Sequence, residues 1–203
     1  FNLLIYLYNI IPGRDLGLAI IALTLIIRLA LYWPSKKAIV SQKELAGLQP
    51  EIDALKEKYR DDKEKLGPEM MALYKRTKIN PFSSCLPMLI QLPFLFAIYQ
   101  VFYNGLTKPE AMSALYSFVA NPGPLNTMAF GFFDLAHKSI LVATLAGLAQ
   151  FWQSKMMMGK KKQAGLAGAM GSQMAYMMPV VTIIIGAQFP AGLTFYWLLT
   201  TLF

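Results

Sequence analysis

The sequence predicts an all-α polytopic membrane protein: five transmembrane helices, an N-terminal interfacial helix and a cytoplasmic antiparallel helical hairpin. Three observations predict it. The 203 residues are 56% hydrophobic and 15% charged, with a mean hydropathy of +0.43, more apolar surface than a soluble domain of this length buries, so lipid is the expected solvent. The apolar residues fall in runs of span length. The charge is concentrated, because residues 36–80 hold 11 of the 19 Lys and Arg and 8 of the 11 Asp and Glu. One cysteine, Cys85, excludes a disulfide-stapled fold, and the hydropathy excludes a disordered chain.

Residues 1–15 are apolar and aromatic up to Pro12-Gly13-Arg14-Asp15, too short to cross and suited to lie along the interface. The first span, 16–34, contains one charge, Arg28. Residues 35–80 form the polar hairpin, 81–104 an uncharged second span holding Pro87 and Pro93, and 105–138 an outer loop. The third span, 139–158, ends near Lys155; a basic loop, 159–172, leads to a fourth span, 173–189, and a fifth, 190–203. The Gln188-Phe189-Pro190-Ala191-Gly192 link is short enough to make the last two spans a hairpin. The chain begins without Met and stops inside an apolar run, and so reads as a piece of a longer polypeptide.

Lys and Arg set the orientation. The loops at 35–80 and 159–172, with Lys155, carry 15 of them, and the opposite side carries Arg14, Lys108 and Lys138. The basic loops are therefore expected in the cytoplasm and the amino end outside. Within the hairpin, Ile39, Leu45, Leu48, Ile52, Leu55 and Tyr59 recur at helical spacing, as do Leu66, Met70, Leu73 and Tyr74 beyond the polar break Arg60-Asp61-Asp62. Pro50 is expected to bend the first arm, and Gly67-Pro68 to start or kink the second.

Catalysis finds little support. The chain has one His, His137, one Cys, and outside the hairpin only Asp15, Glu110 and Asp134 as carboxylates. No metal-ligand spacing or phosphate-binding loop is present, so no catalytic residue, metal or cofactor is expected. Arg28 is the strongest single feature, since an arginine in a span costs about 2.5 to 3.5 kcal/mol on insertion scales and often faces a hydrated cavity. Snorkelling to the nearby headgroups is the competing explanation. Thr24, one turn earlier, extends the polar face. Gln91, Gln100, Gln150, Thr182, Gln188 and Tyr196 are the polar residues of other spans that could meet it, although Gln91 beside Pro93 could serve only to satisfy freed carbonyls. The methionines at 156–158, 170, 174, 177 and 178 suit either varied apolar partners or plain packing. The Lys160-Lys161-Lys162 run suits anionic lipids better than RNA, and direct DNA binding is not expected.

Several segments together resemble the YidC/Oxa/Alb membrane protein insertase family, most nearly its bacterial branch. They are Thr24-Leu-Ile-Ile-Arg28, Gln49-Pro50, Glu69-Met-Met-Ala-Leu-Tyr74-Lys75, Asn80-Pro81, Cys85-Leu-Pro87-Met-Leu-Ile-Gln91-Leu-Pro93 and Phe189-Pro190-Ala191-Gly192-Leu-Thr-Phe-Tyr196-Trp197. The resemblance implies a five-span core with a hydrophilic groove open to cytoplasm and lipid and closed toward the outside. It assigns Arg28 and Thr24 to that groove, with contacts from Gln91 and from Trp197, where many members have Tyr. It also implies a contact for the substrate's apolar helix along the third and fifth spans. The implied function is insertion and folding of nascent membrane proteins in the bacterial inner membrane. The hairpin, with Lys36, Lys37, Glu51, Asp61, Asp62, Lys75 and Arg76, would meet the ribosome, the signal recognition particle and its receptor, or the Sec translocon. A small channel or transporter is the alternative, disfavoured by the lack of internal repeats and of an intramembrane carboxylate. A passive scaffold is a third.

Overall fold

The computed structural model describes residues 1–80, 86–105, 112–113, 115–157 and 166–203. At 86–90, 104–105, 157 and 166–175 it describes the backbone alone. Cys85, Lys108, Glu110, Met158 and the Lys160–Lys162 run lie outside the described residues.

The described part is mostly helical, as the sequence predicts. Helix α1 (Asn2–Ile10) buries Leu4, Ile5, Leu7 and Tyr8 and exposes Leu3, Tyr6 and Ile10. A 3-10 turn over Pro12–Arg14, with Gly13 at φ 77°, reverses the chain into α2 (Leu16–Ala30). The Asp15 carboxylate accepts from the Leu18 N–H at 3.0 Å and caps α2, satisfying a donor that the first turn leaves open. Helix α2 ends earlier than the 16–34 expected for the first span. The chain turns by 70° at Leu31 into α3 (Tyr32–Lys58). Pro34 in the first turn of α3 suits that restart, because its missing N–H lies where no intrahelical bond is required.

Helix α3 returns against α4 (Lys63–Thr77), which is capped by the Asp62 side chain at the Lys65 N–H and closed by Lys78 in the left-handed region. The polar break predicted at 60–62 is where the chain turns. Pro50 lies inside α3 and Pro68 inside α4, so Gly67-Pro68 neither starts the second arm nor interrupts it. Leu48, Ile52 and Leu73 form a small core, packed by Leu45, Leu55, Met70, Tyr74 and Ile79. Ile39, expected on this inner face, is instead 46% exposed.

Helix α5 (Leu86–Gln100) accommodates Pro93 and widens into a π turn at Val101–Gly105. The segment expected as an outer loop holds a two-residue ribbon, β1 (Met128–Ala129) antiparallel to β2 (Phe133–Asp134), with Met128 opposite Asp134. Phe130 and Gly131, at φ 54° and 79°, make its turn. Then follow α6 (Ile140–Met157), α7 (Leu166–Gly186) and α8 (Ala191–Leu202). Helix α7 begins inside the stretch expected as the basic loop.

Helix α6 packs on both α7 and α8, and α2 packs on α1, α8 and β1. The main core joins Leu4, Tyr8, Leu16, Ile20, Phe102, Leu135, Leu193 and Tyr196. Gly147 permits the close crossing of α6 and α7, since a Cβ there would lie 2.4 Å from Ile183 and 2.9 Å from the Pro179 carbonyl. The outward surfaces are apolar. Ile140, Leu141, Leu148, Trp152 and Met156 form one exposed stripe of α6, and Tyr176, Met177, Val180 and Ile184 one of α7. A water-soluble bundle places polar residues on such faces. Among the described residues no single helix is long and apolar enough to cross a membrane by length and composition; α2 and α3 pass that test only together, bent by 70°.

Candidate functional site: a polar cluster of α2, α5 and α8

Arg28 occupies the last turn of α2, where its charge also complements the helix dipole. The side chain is half-buried, and its Nε is buried with no hydrogen-bond partner among the described residues. No carboxylate approaches it in the described residues, whose ion pairs are Lys65–Asp62 and Arg76–Glu51, with His137 hydrogen-bonded to Asp134. The Tyr196 side chain, from the second turn of α8, lies within electrostatic reach of the guanidinium. Tyr196 is itself 1% exposed, and its hydroxyl accepts from Gln91 Nε2 of α5 at 3.4 Å, a long bond. Arg28, Tyr196 and Gln91 thus bring three helices to one polar point. Such a point can bind and orient an anionic or polar group, and it contains no nucleophile and base pair for covalent chemistry.

The other expected members have different placements. Thr24 is fully buried, and its hydroxyl donates to the Ile20 carbonyl at 2.7 Å, so its own helix satisfies it. Trp197 is half-buried next to Tyr196, and its carbonyl accepts from the Thr200 and Thr201 hydroxyls. Gln100 lies at the far end of α5, nine residues or roughly 13.5 Å along the helix from Gln91, beside Tyr99, whose ring meets Phe189 at the α7–α8 turn. Gln188 is exposed in that turn and donates to the Ile184 carbonyl. Gln100 and Gln188 therefore sit toward the ribbon end of the molecule. Gln150 and Thr182 hydrogen-bond each other across α6 and α7, which is a packing role.

In the hairpin, Glu51 pairs with Arg76 at 3.0 Å across the two arms, and Asp62 with Lys65 at 2.8 Å. Asp61, Lys75, Lys36 and Lys37 are exposed. A cleft of about 340 Å³ lies between the arms, lined by Glu51, Leu55, Lys58, Glu69, Leu73 and Arg76.

The ribbon end is closed by bonds that sequence reasoning missed. Asp15 uses its second oxygen to accept from the Phe130 N–H at 2.5 Å, while the Leu135 and His137 carbonyls accept from the Gly192 and Ala191 N–H groups. Asp15 carried a signal: an Asp directly before an apolar run reads as a cap. Its second partner, 115 residues away, left none. Burial alone would raise the Asp134 carboxyl, but the Ala136 N–H at 2.9 Å, His137 at 2.6 Å and the Thr127 hydroxyl outweigh it and hold it below the ordinary carboxylate range.

The described residues thus form a mostly helical protein with apolar outer faces and, where α2, α5 and α8 meet, a half-buried arginine without an ion pair among them. The chain belongs to the 60Kd inner membrane protein family, whose model matches residues 6–203. It is similar to proteins named membrane protein insertase YidC. Identity is 34% over 185 residues in Rickettsia bellii, 34% over 191 in Rickettsia canadensis and 35% over 191 in Rickettsia rickettsii, each covering 90% of this chain. The chain spans about a third of the length of these relatives, 33% in each case.

Proposed function

We propose that this chain is the membrane-embedded core of a protein insertase, with five spans, the amino end outside and the α3–α4 hairpin in the cytoplasm of a bacterial cell. The observation that carries the reading is Arg28, half-buried without an ion pair among the described residues and beside Tyr196 and Gln91. Its family and the insertase name of its relatives support the same reading.

The mechanism is physical. Attraction between the guanidinium and an acidic or polar outer segment of a nascent chain is stronger in a partly desolvated site than in water. That attraction lowers the cost of bringing the segment to membrane depth. The substrate's apolar helix then leaves along the exposed faces of the third and fifth spans into lipid, driven by about 25 cal/mol for each Å² of apolar area removed from water. The far half of the hairpin, with Glu51, Asp61, Asp62, Lys75 and Arg76, receives the ribosome, the signal recognition particle and its receptor, or the Sec translocon. The Lys160–Lys162 run holds anionic lipid.

Reconstitution tests this. The purified protein in liposomes inserts a small membrane protein with an acidic outer segment, and Arg28→Ala lowers that yield while leaving a charge-neutralised version of the same substrate unaffected. Equal insertion by both proteins, at equal folded content, overturns the role of Arg28. Solute uptake without insertion overturns the insertase reading in favour of a channel or transporter.

A further inference from the structure

The first three turns of α3 present a face that the polar cluster does not use. At 100° per residue, Ile39, Tyr32, Lys43, Lys36, Val40 and Trp33 fall within a sector about 120° wide, and all six are exposed, Trp33 to 70% and Val40 to 47%. On the opposite side Ala38 is buried, and α3 packs against α5. No acidic residue occurs between 32 and 43; the first is Glu44. The Lys36 ammonium lies 6.0 Å over the Trp33 ring, so it is held beside an aromatic face. A water-facing helix surface would not carry four large apolar side chains, and a face buried in hydrocarbon would not carry lysines. Rings and methyl groups beside unopposed ammonium groups match the zone where acyl chains meet phosphate.

The bend gives this face its position. With α2 near the membrane normal, the 70° turn at Leu31 sets α3 about 20° from the membrane plane. Twelve residues extend roughly 18 Å and rise only about 6 Å over that length. The headgroup zone of one leaflet is about 5 to 7 Å deep. Residues 32–43 thus remain within it, and the chain emerges near Glu44, where charges of both signs begin. We infer that this face docks on the anionic phospholipid headgroups of the leaflet at the hairpin end, so that α3 lies on the membrane before the hairpin departs. The inference rests on α2 being a span, and it assigns Lys36 to lipid instead of the ribosome.

The test uses the whole chain with Cys85→Ser, carrying a polarity-sensitive fluorophore at Val40→Cys or Leu25→Cys, in nanodiscs of neutral or of neutral plus anionic phospholipid. In anionic discs the label at 40 shifts to the blue and is quenched by nitroxide placed at headgroup depth. Adding Lys36→Gln or Lys43→Gln weakens that partition by roughly fivefold per lysine, and high salt weakens it further. The inference is overturned if position 40 stays in water in both compositions, or becomes shielded only when ribosomes are added, which would give the face to the ribosome. Position 25 separates the two failures. Its quenching by deep acyl-chain nitroxide with position 40 in water defeats the docking face alone, whereas both positions in water defeat the span and the face together.

Discussion

Thr24 and Arg28 lie one turn apart on α2, yet their polar groups have opposite fates. The Thr24 hydroxyl is sealed and bonded to its own helix, whereas the Arg28 Nε is sealed and has no hydrogen-bond partner among the described residues. Spacing alone makes them one polar stripe; whether a hydroxyl turns back on its i−4 carbonyl depends on a rotamer that no spacing reveals. Thr24→Val should therefore shift stability by no more than about 1 kcal/mol and leave insertion intact, as thermal unfolding in detergent and the liposome assay will read. Asp134 offers a second check at this scale. Its carboxyl lies below the ordinary range in the folded protein, so the stability it adds is full above that range and disappears as pH falls through its own lowered value. Asp134→Asn should flatten that acid limb of the stability profile and leave stability less dependent on pH there.

At the scale of elements, the helices were legible because apolar residues repeat at 3.6 in the hairpin and run unbroken elsewhere. Their ends were less so. The apolar run continues through Leu31, Tyr32 and Trp33, and Pro34, which suits a helix start, does not reveal that the chain turns by 70° there. The ribbon at 128–134 was invisible because two-residue strands have no period, and because its turn places a bulky Phe130 at positive φ, a conformation that sequence rules reserve for Gly, Asn or Asp. Gln150 and Thr182 looked like members of a polar site, but only packing decides which polar residues meet across a bundle. The α6–α7 crossing carries a prediction of its own. Gly147→Ala should destabilise the protein by about 1 to 3 kcal/mol through overpacking. Ile183→Ala should recover part of that loss in the double variant, a coupling that a thermal double-mutant cycle measures.

At the scale of the molecule, the two apolar clusters share no residue. The hairpin is held by Leu48, Ile52 and Leu73, and the bundle by a much larger set. Hydrogen exchange in nanodiscs should accordingly find the α3–α4 amides beyond Glu44 exchanging early and as a group, with Ala191 and Gly192 among the slowest. Uniform protection across both would mean that the hairpin is braced by the bundle.

The bonds at the ribbon end bear on how such a molecule can move. Asp15 joins the start of α2 to the ribbon, and the Leu135 and His137 carbonyls join the following segment to the start of α8. Helices α2 and α8 are thus tied to one short segment at the same end, while Arg28 lies in the last turn of α2. They form two arms joined at one end, at Asp15 and Gly192. A separation of α2 from α8 that kept these bonds would grow with distance along α2 from Asp15, toward the turn that carries Arg28.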